Sequence, residues 1–470
     1  MMYLERKKIK FGTDGWRGII GQDFTFTNLK KVACALALYL TKTMQSHPPR
    51  IIIGYDHRFL SERFAAVFAE ILSGYKLKSY LFKKAIPTPM LSFLIKAHHF
   101  TAGVMITASH NPYLYNGVKI KTALGTSAGV KLTDRLERII NRRAFAPETV
   151  ISKPRLVDYS NEYVASLEKF LKNDVFRNSQ LKVMVDEMYG SQNSLIERIL
   201  RKKGVDVKSI NNIRNPFFGG INPEPISQNL KKLSQLVKRE KFDLGLATDG
   251  DADRIGAVCP NGAFITSHQI IALLALHLIR NRNWSGTLAK TINTTVWLDR
   301  IAKKYNLKIY ETSVGFKHLS RLMLKHDILI AGEESGGIAF KNYIPERDGI
   351  LSGLLLVEML CMEKRGIRQI LFNLQKEFGR FFYLREDVWL KNKSLQVDEK
   401  GWKRINRILD QKVMKIDRFD GIKFKLADDS WLLLRFSGTE PLLRIYAEGT
   451  TKQQAERLVA YGKELVCKTN

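Results

Sequence analysis

A serine in a polar loop, directly after a short apolar segment, is the first group in this sequence that could act as a nucleophile. Residues 102–107 predict a buried strand, while residues 109–112 (Ser-His-Asn-Pro) and the Asn116-Gly117 pair are typical of turns. Ser109 is therefore expected where a buried strand opens into a loop, a position at which α/β proteins often place reactive groups. Taken alone, such a loop is more often an ordinary turn that Ser and Asn close through local hydrogen bonds.

Three aspartates at alternate positions form a second candidate site. Asp249, Asp251 and Asp253 lie between the apolar segments 244–248 and 255–258. Carboxylates this close together raise one another's pKa unless a cation joins them. Oxygen ligands with no Cys or His nearby favour Mg²⁺, Mn²⁺ or Ca²⁺ over zinc.

The spacing of these aspartates imitates the start of an EF-hand loop, but the rest of that loop is absent. Its sixth position, which requires Gly, is Arg254, and its twelfth, which requires Glu, is Pro260. A solvated acidic turn is the other interpretation, and the abrupt change from apolar strand to acidic cluster and back disfavours it. The segment therefore predicts a catalytic Mg²⁺ site.

Two further loops carry polar groups of other kinds. Residues 332–337 (Gly-Glu-Glu-Ser-Gly-Gly) follow the apolar segment 328–331 and offer groups that can bond several hydroxyls of a polyol such as a sugar. Residues 435–441 (Arg-Phe-Ser-Gly-Thr-Glu-Pro), with Arg444 beyond them, combine a guanidinium, hydroxyls and exposed backbone N–H groups that suit a phosphate ester. Each loop alone is also compatible with an ordinary Gly-rich or hairpin turn.

Taken together and in this order, the four motifs resemble those of the α-D-phosphohexomutase superfamily, which includes phosphoglucomutases, phosphomannomutases and phosphoglucosamine mutases. The resemblance begins at residues 11–18 (Phe-Gly-Thr-Asp-Gly-Trp-Arg-Gly), includes the segments 185–190 and 215–225, and ends near Tyr446. Each motif alone is moderately specific, but their joint occurrence in order makes coincidence negligible.

This resemblance implies an enzyme that interconverts hexose 1-phosphate and hexose 6-phosphate. Ser109 would be carried as phosphoserine, with Mg²⁺ held by a phosphoserine oxygen and by Asp249, Asp251 and Asp253. The phosphoryl group would pass to a free sugar hydroxyl and give a bound hexose 1,6-bisphosphate. That intermediate would turn end for end and return its other phosphate to Ser109.

The resemblance also implies roles for the surrounding side chains. Lys119, ten residues beyond the serine, matches the general base, and a base lysine requires a lowered pKa, which cations such as Arg17 could provide. Arg254 would offset charge on the moving phosphoryl group. The remaining candidates are His110 beside the serine, Glu333, Ser335 and Lys317 at the sugar, and Arg435, Ser437, Gly438, Thr439 and Arg444 at the phosphate that is not reacting.

Three details favour glucose phosphates, with mannose phosphates second. Gly337 stands where many phosphomannomutases and glucosamine-type mutases carry His, Lys317 resembles a substrate-facing lysine of phosphoglucomutases, and Trp16 replaces the Ile usual in the glucosamine-specific group. Phosphoglucomutase is therefore the leading hypothesis, and phosphomannomutase or phosphoglucosamine mutase is the alternative. A non-catalytic sugar-phosphate binding protein is a further alternative, which the intact candidate catalytic residues disfavour.

The composition agrees with such an enzyme. The 470 residues are 45% hydrophobic and 26% charged, and the four cysteines form no Cys-x-x-Cys pair, which favours a reducing cytoplasm. The first residues do not resemble a signal peptide, and apolar runs are too short to span a bilayer. We expect a cytoplasmic protein with no membrane partner; the sequence does not predict an oligomeric state.

The net charge of +30 raises the question of a nucleic-acid partner. Because the sequence has no long basic run, no RNA-binding aromatic signature and no helix-turn-helix pattern, we expect none. A basic cleft would instead attract the doubly charged hexose phosphates, which are the expected partners. The same cleft should oppose the cationic amino group of glucosamine phosphate.

Alternating strand and helix patterns indicate how these motifs are positioned. They predict three similar α/β domains with mixed sheets and a smaller C-terminal α+β domain around a central cleft, one motif in each. The predicted boundaries are residues 1–154, 155–262, 263–374 and 375–470.

Overall fold

The structure is a computed structural model that describes residues 8–43, 48–142, 152–389, 402, 404–436 and 442–467. Within these ranges it contains four sheets, of which three are mixed and covered by helices. The fourth is antiparallel and carries one helix after its last strand. The fold predicted from the sequence, three α/β domains and a smaller α+β domain, is confirmed.

The first sheet has the strand order β1-β5-β4-β2-β3-β6 and is covered by helices on both faces. This is why its central strands read as continuous apolar runs rather than alternating ones. Residues 155–157, at the start of the predicted second domain, add the edge strand β6 by pairing with β3. The strands are β1 (Trp16–Ile19), β2 (Arg50–Tyr55), β3 (Lys78–Phe82), β4 (Ala102–Ile106), β5 (Tyr115–Thr122) and β6 (Arg155–Val157), and the helices are α1 (Phe26–Thr43), α2 (Ser61–Gly74), α3 (Thr88–Ala97) and α4 (Val130–Ile140).

The second and third sheets have the orders β11-β10-β9-β7-β8 and β13-β12-β14-β15. The strands are β7 (Lys182–Asp186), β8 (Asp206–Ile210), β9 (Leu244–Thr248), β10 (Ile255–Val258), β11 (Phe264–Ile265), β12 (Thr287–Thr291), β13 (Ile309–Thr312), β14 (Ile328–Gly332) and β15 (Ile338–Phe340). The helices are α5 (Ser160–Phe170), α6 (Leu195–Lys202), α7 (Lys231–Arg239), α8 (Ser267–Leu276), α9 (Trp297–Lys304), α10 (Phe316–Lys325), α11 (Gly349–Glu363) and α12 (Ile367–Phe378), with short 3-10 turns at Asn173–Phe176 and Phe218–Gly220 and a π-helical turn at His277–Asn281.

Helix α11 joins the second and third sheets. It is buried from Gly349 to Leu360 and contacts α6 and β9 as well as α8 and β15. A helix that is apolar on all sides must be enclosed in this way. Asp348 caps it, because its Oδ1 accepts a hydrogen bond from the N–H of Leu351 at 2.9 Å. The cap also fixes the position of Arg347, the residue before it.

The C-terminal sheet has the order β16-β21-β20-β19-β18-β17, and the last helix packs on β16, β20 and β21. No helix in the described part of the chain combines the length and apolar character needed to cross a membrane. The elements are β16 (Phe382–Trp389), β17 (Arg407–Ile408), β18 (Gln411–Asp417), β19 (Ile422–Leu426), β20 (Trp431–Phe436), β21 (Leu442–Gly449) and α13 (Lys452–Cys467).

All four motifs lie in the same kind of connection. The serine loop joins β4 to β5, the aspartate loop β9 to β10, the 333–337 loop β14 to β15, and the segment after Arg435 β20 to β21. In each case the two strands are antiparallel neighbours. A strand that reverses direction next to its neighbour leaves a loop at the edge of the sheet, where its polar groups can face a shared cleft.

Candidate functional site

Ser109 lies in a strained loop whose conformation is fixed by hydrogen bonds. Its backbone is left-handed (φ 54°) and its side chain is buried. Its N–H donates to Thr107 Oγ1 at 2.9 Å, and its Oγ donates to Asp249 Oδ2 at 2.9 Å. A non-glycine residue holds a left-handed conformation only where its surroundings enforce it, which is common at functional sites. The arrangement presents the hydroxyl to the acidic loop of the second domain.

A buried arginine, which our sequence analysis did not identify, holds this loop in place. Arg58 is fully buried and is paired with Asp56, whose Oδ2 accepts a hydrogen bond from Nε at 3.1 Å. The signal was present, since Asp56-His57-Arg58 follows the apolar strand β2 as the acidic loop follows β9. The terminal nitrogens of Arg58 donate to the carbonyls of Ser109, Asn111, Pro112 and Tyr115 at 2.5–3.0 Å.

The three aspartates form a compact buried cluster. Asp249, Asp251 and Asp253 are fully buried, and one carboxylate oxygen from each lies within 4.8 Å of the others. Asp249 Oδ1 closes the loop by accepting the N–H groups of Asp253 and Arg254 at 2.9 and 3.0 Å. Burial, followed by the charges of Asp253 and Asp251, raises the pKa of Asp249 well above its usual value.

These residues fit a hard divalent cation. Oδ1 of Asp251 and Oδ1 of Asp253 are buried and have no hydrogen-bond partner among the described residues. A buried carboxylate oxygen without a partner is costly, and a cation with oxygen ligands removes that cost. The donor set contains only oxygen, as Mg²⁺ prefers.

Lys119 lies among the same carboxylates. Its Nζ is 2.7 Å from Asp251 Oδ2, 2.9 Å from Asp253 Oδ2 and 3.0 Å from Asp14 Oδ2. Burial alone would lower the pKa of a lysine, but Asp14, Asp251 and Asp253 together raise the pKa of Lys119 above its usual value. The sequence-based expectation of a lowered pKa is therefore wrong for this arrangement, because three carboxylates outweigh the nearby cations.

His110, Arg17 and Arg254 surround the serine. His110 Nδ1 is 3.4 Å from Ser109 Oγ, and burial, together with nearby Arg254 and Arg17, lowers the pKa of His110 well below its usual value. Arg17 Nη1 donates to Asn111 Oδ1 at 2.5 Å. Arg254 Nη1 donates to Glu224 Oε1 at 3.1 Å, and its Nε lies 4.0 Å from Asp249 Oδ2. His110 is therefore neutral at neutral pH, and the two arginines supply the positive charge.

Arg347, a second residue that sequence reasoning missed, connects the acidic loop to the candidate sugar loop. Its Nη2 donates to Asp14 Oδ2 at 2.6 Å and to Asp253 Oδ2 at 2.8 Å, while Nη1 donates to Glu333 Oε2 at 3.1 Å. Burial raises the pKa of Glu333, an effect that Arg347 opposes. No local pattern marks Arg347 as a member of the site, because its partners come from three separate segments.

The other sugar candidates lie at the same edge of the third sheet. Ser335 and Lys317 are half-buried. Burial, followed by the charge of Arg321, lowers the pKa of Lys317, and the Asp14 carboxylate opposes this. Glu334, beside Glu333, accepts a hydrogen bond from the hydroxyl of Tyr383 in the C-terminal domain at 2.9 Å.

Two arginines flank the fourth loop. Arg435 and Arg444 lie directly opposite each other on the paired strands β20 and β21. Like charges at opposed positions destabilise a sheet unless other groups compensate them. Asp420 Oδ1 lies 2.8 Å from Arg435 Nε, and Asp387 Oδ2 lies 3.8 Å from Arg444 Nε. The other predicted phosphate ligands, Ser437, Gly438 and Thr439, lie outside the described residues.

Gly337 has a physical reason that concerns Arg347. A Cβ placed at residue 337 would lie 2.2 Å from Arg347 Cδ and 2.9 Å from Cγ, so the arginine occupies the space that a side chain there would need. We expect Gly337→Ala to lower the free energy of unfolding by about 2 kcal/mol, because Arg347 must move away from its carboxylate partners. Denaturant unfolding measures this change.

A double-mutant cycle with Arg347→Ala identifies the neighbour responsible. In that background Gly337→Ala should have little effect, since the space is then free. The control is Gly366→Ala, where an added Cβ meets nothing within 4 Å. Equal costs of Gly337→Ala in the two backgrounds would contradict the assignment.

Comparison with known proteins agrees with this geometry. Four domains described under phosphoglucomutase/phosphomannomutase match the chain in order: alpha/beta/alpha domain I at residues 8–147, domain II at 161–262, domain III at 266–378 and the C-terminal domain at 392–462. A phosphoglucomutase/phosphomannomutase of Thermococcus kodakarensis is 30% identical over 97% of this chain and 98% of its own. A probable phosphoglucosamine mutase of Pyrococcus abyssi is 31% identical over 97% of each chain.

Solved structures show the same fold. The structure of a protein named as a phosphomannomutase from Thermus thermophilus superposes with a TM-score of 0.87 at 31% identity, covering 98% of this chain and 99% of that one. An Aspergillus fumigatus N-acetylphosphoglucosamine mutase, solved in complex with GlcNAc-6P and magnesium, has a TM-score of 0.62 at 17% identity over 98% and 96% of the two chains. At that identity the likeness concerns the fold alone.

Proposed function

The chain belongs to the phosphoglucomutase/phosphomannomutase family of phosphohexomutases, and we propose that its reaction proceeds through a phosphoserine at Ser109. One observation carries this proposal: Ser109 Oγ is bonded to Asp249, while Lys119 contacts the other two carboxylates of the same cluster. A nucleophile, a carboxylate cluster and a proton-carrying lysine thus meet at one point, as phosphoryl transfer requires.

The proposed transfer is balanced in bonds and protons. The bond between phosphorus and Ser109 Oγ breaks as a bond forms between phosphorus and a sugar hydroxyl oxygen, and the hydroxyl proton passes to Lys119. The resulting hexose 1,6-bisphosphate reorients, and its other phosphate returns to Ser109 while Lys119 gives up the proton. His110, neutral beside the serine, and Arg17 would orient the serine loop, and Arg254 would offset charge on the phosphoryl oxygens.

Asp249, Asp251 and Asp253 would hold Mg²⁺ together with an oxygen of phosphorylated Ser109. Mg²⁺ bound there would supply positive charge to the phosphoryl oxygens. Engaging Asp251 and Asp253 also removes two of the three negative charges that raise the pKa of Lys119. Lys119 can therefore act as a base only when these carboxylates have another cationic partner.

The sugar and its distal phosphate would be held by the third and fourth domains. We propose that Glu333, Ser335 and Lys317 bond the sugar hydroxyls. Arg435 and Arg444, with Ser437, Gly438 and Thr439, would bind the phosphate that is not reacting. Two arginines directly opposite each other favour an anion between them. We retain the four-domain division at residues 154, 262 and 374 as a proposal, each domain supplying one loop.

The preference for glucose phosphates expected from the sequence is less well supported than its alternative. Relatives that match nearly the whole chain are named phosphoglucosamine mutase or phosphoglucomutase/phosphomannomutase. The argument from Gly337 also weakens, because Arg347 already fills the space of a side chain at that position. We therefore propose glucosamine phosphate as the first substrate, with mannose and glucose phosphates after it.

An amino group at C2 is compatible with the charges near the sugar loop. The basic composition of the chain predicted that a cationic sugar would be opposed. At this edge, however, Glu333 and Glu334 lie side by side, and Asp14 and Asp253 are neighbours of the Arg347 that contacts Glu333. Carboxylates in this number offset the local cations.

We expect kcat/KM for glucosamine 1-phosphate to equal or exceed the values for glucose 1-phosphate and mannose 1-phosphate. The measurement is a coupled assay with Mg²⁺ and a trace of the matching hexose bisphosphate. Ser109→Ala serves as the background control for each sugar. A value for glucose 1-phosphate at least tenfold above that for glucosamine 1-phosphate would restore the glucose hypothesis.

Ser109→Ala should abolish phosphorylation and lower turnover by about 1,000-fold or more, because no other group can carry the phosphoryl. Incubation with hexose 1,6-bisphosphate followed by intact-mass and peptide mapping should place one phosphate on Ser109 of the unmodified protein. Undiminished turnover of the variant would refute the phosphoserine mechanism.

Asp251→Asn should weaken Mg²⁺ binding by tenfold or more while leaving the metal-free fold intact, since it removes one charged ligand and one repulsion. The rise in melting temperature on adding Mg²⁺ reports binding without requiring activity. Asp327→Asn, at an exposed carboxylate paired with Lys341, is the matched control. Full activity of metal-free protein in excess EDTA would overturn the assignment.

A further inference from the structure

One carboxylate connects two of the proposed substrate-binding segments. Asp420 lies in the turn between β18 and β19 of the C-terminal domain. Its Oδ1 accepts a hydrogen bond from Arg435 Nε at 2.8 Å, and its Oδ2 accepts one from the backbone N–H of Val314 at 2.6 Å. Val314 belongs to the third domain and lies three residues before Lys317. A single side chain thus contacts the distal-phosphate arginine and the segment that carries a sugar candidate.

The turn that carries Asp420 is fixed against the strand that carries Arg435. Gly421 has a left-handed backbone (φ +91°), and a Cβ there would lie 2.5 Å from the carbonyl oxygen of Leu434. Only glycine allows so close an approach in this conformation. The carboxylate therefore cannot shift along β20 to follow Arg435 without moving the whole turn.

Other contacts between the third and fourth domains have a different geometry. Arg300 and Asp429 form an ion pair at 2.6 Å whose side chains are 35% and 51% exposed, and neither belongs to a candidate loop. Lys423 donates to the carbonyl of Ile292 and to Glu311, deeper in the interface. Among these contacts in the described part of the chain, Asp420 alone touches Arg435.

We propose that Asp420 is a positioning residue that couples phosphate capture by Arg435 to the placement of residues 312–317. This rests on the proposed function, in which Arg435 binds the distal phosphate. Asp420 engages Nε, and the terminal nitrogens of a guanidinium are the pair that grips a phosphate. Because the other oxygen of Asp420 holds the Val314 N–H, an Arg435 fixed by phosphate also fixes that segment beside the sugar.

The test compares Asp420→Asn with Asp429→Asn, which removes a charge from the same domain interface without touching either loop. An asparagine has one acceptor oxygen and cannot serve both donors. We expect Asp420→Asn to raise KM for hexose 1-phosphate about tenfold with a smaller change in kcat, and Asp429→Asn to change KM less than twofold. Equal KM changes in the two variants would refute the coupling.

Hydrogen exchange provides a readout that a purely structural role would not move. Adding hexose 1-phosphate should slow exchange in the peptide that contains residues 312–317 in the unmodified protein and in Asp429→Asn, and should fail to do so in Asp420→Asn. Protection by hexose 1-phosphate in all three proteins would also overturn the proposal.

The outcomes separate this proposal from the proposed function. An unmodified protein without mutase activity or phosphorylation of Ser109 contradicts the function itself. An active protein whose Asp420→Asn variant behaves like Asp429→Asn contradicts only the coupling. If Asp420→Asn does not fold, Asp420→Glu replaces it: the longer carboxylate keeps the charge, and we expect its KM to rise by a smaller factor. An unchanged KM in that variant would refute the coupling.

Discussion

The need to compensate buried carboxylates organises this molecule. Asp249, Asp251, Asp253 and Glu333 are removed from water, and buried charges persist only when paired or coordinated. Their partners come from other domains: Lys119 from the first sheet and Arg347 from the start of α11. Breaking one such pair leaves an uncompensated buried charge, so the relative placement of the first three domains depends on these contacts.

The scaffold places these charges through one repeated device. In every sheet the motif occupies the loop between two antiparallel neighbours, so four sheets each contribute one loop to a shared cleft. Local bonds then shape each loop. Arg58 gathers the carbonyls around Ser109, and Asp249 closes its own loop through two N–H groups. The rigid loops hold the nucleophile and the carboxylates together before any substrate arrives, which limits the reorganisation that catalysis needs.

The same network makes the state of the cleft depend on what it binds. With only protein partners, Lys119 is held by three carboxylates that keep its proton. Two carboxylate oxygens remain without a partner among the described residues. A cation at the aspartates and an anion at the arginines would each satisfy groups that the protein leaves incompletely paired. The chain therefore stores its affinity for a metal ion and for phosphate esters in the same set of buried charges.

The sequence by itself determined the family, the fold class and the loops, because strand patterns and motif order are local and survive at 30% identity. It correctly joined Ser109 to the aspartates. It could not reveal Arg58 or Arg347, whose partners are distant in the chain, nor the direction of the pKa of Lys119, which depends on how many carboxylates surround one nitrogen. Only the tertiary structure decided that Gly337 makes room for Arg347 and that Asp420 connects two domains, since contacts between segments have no local signature.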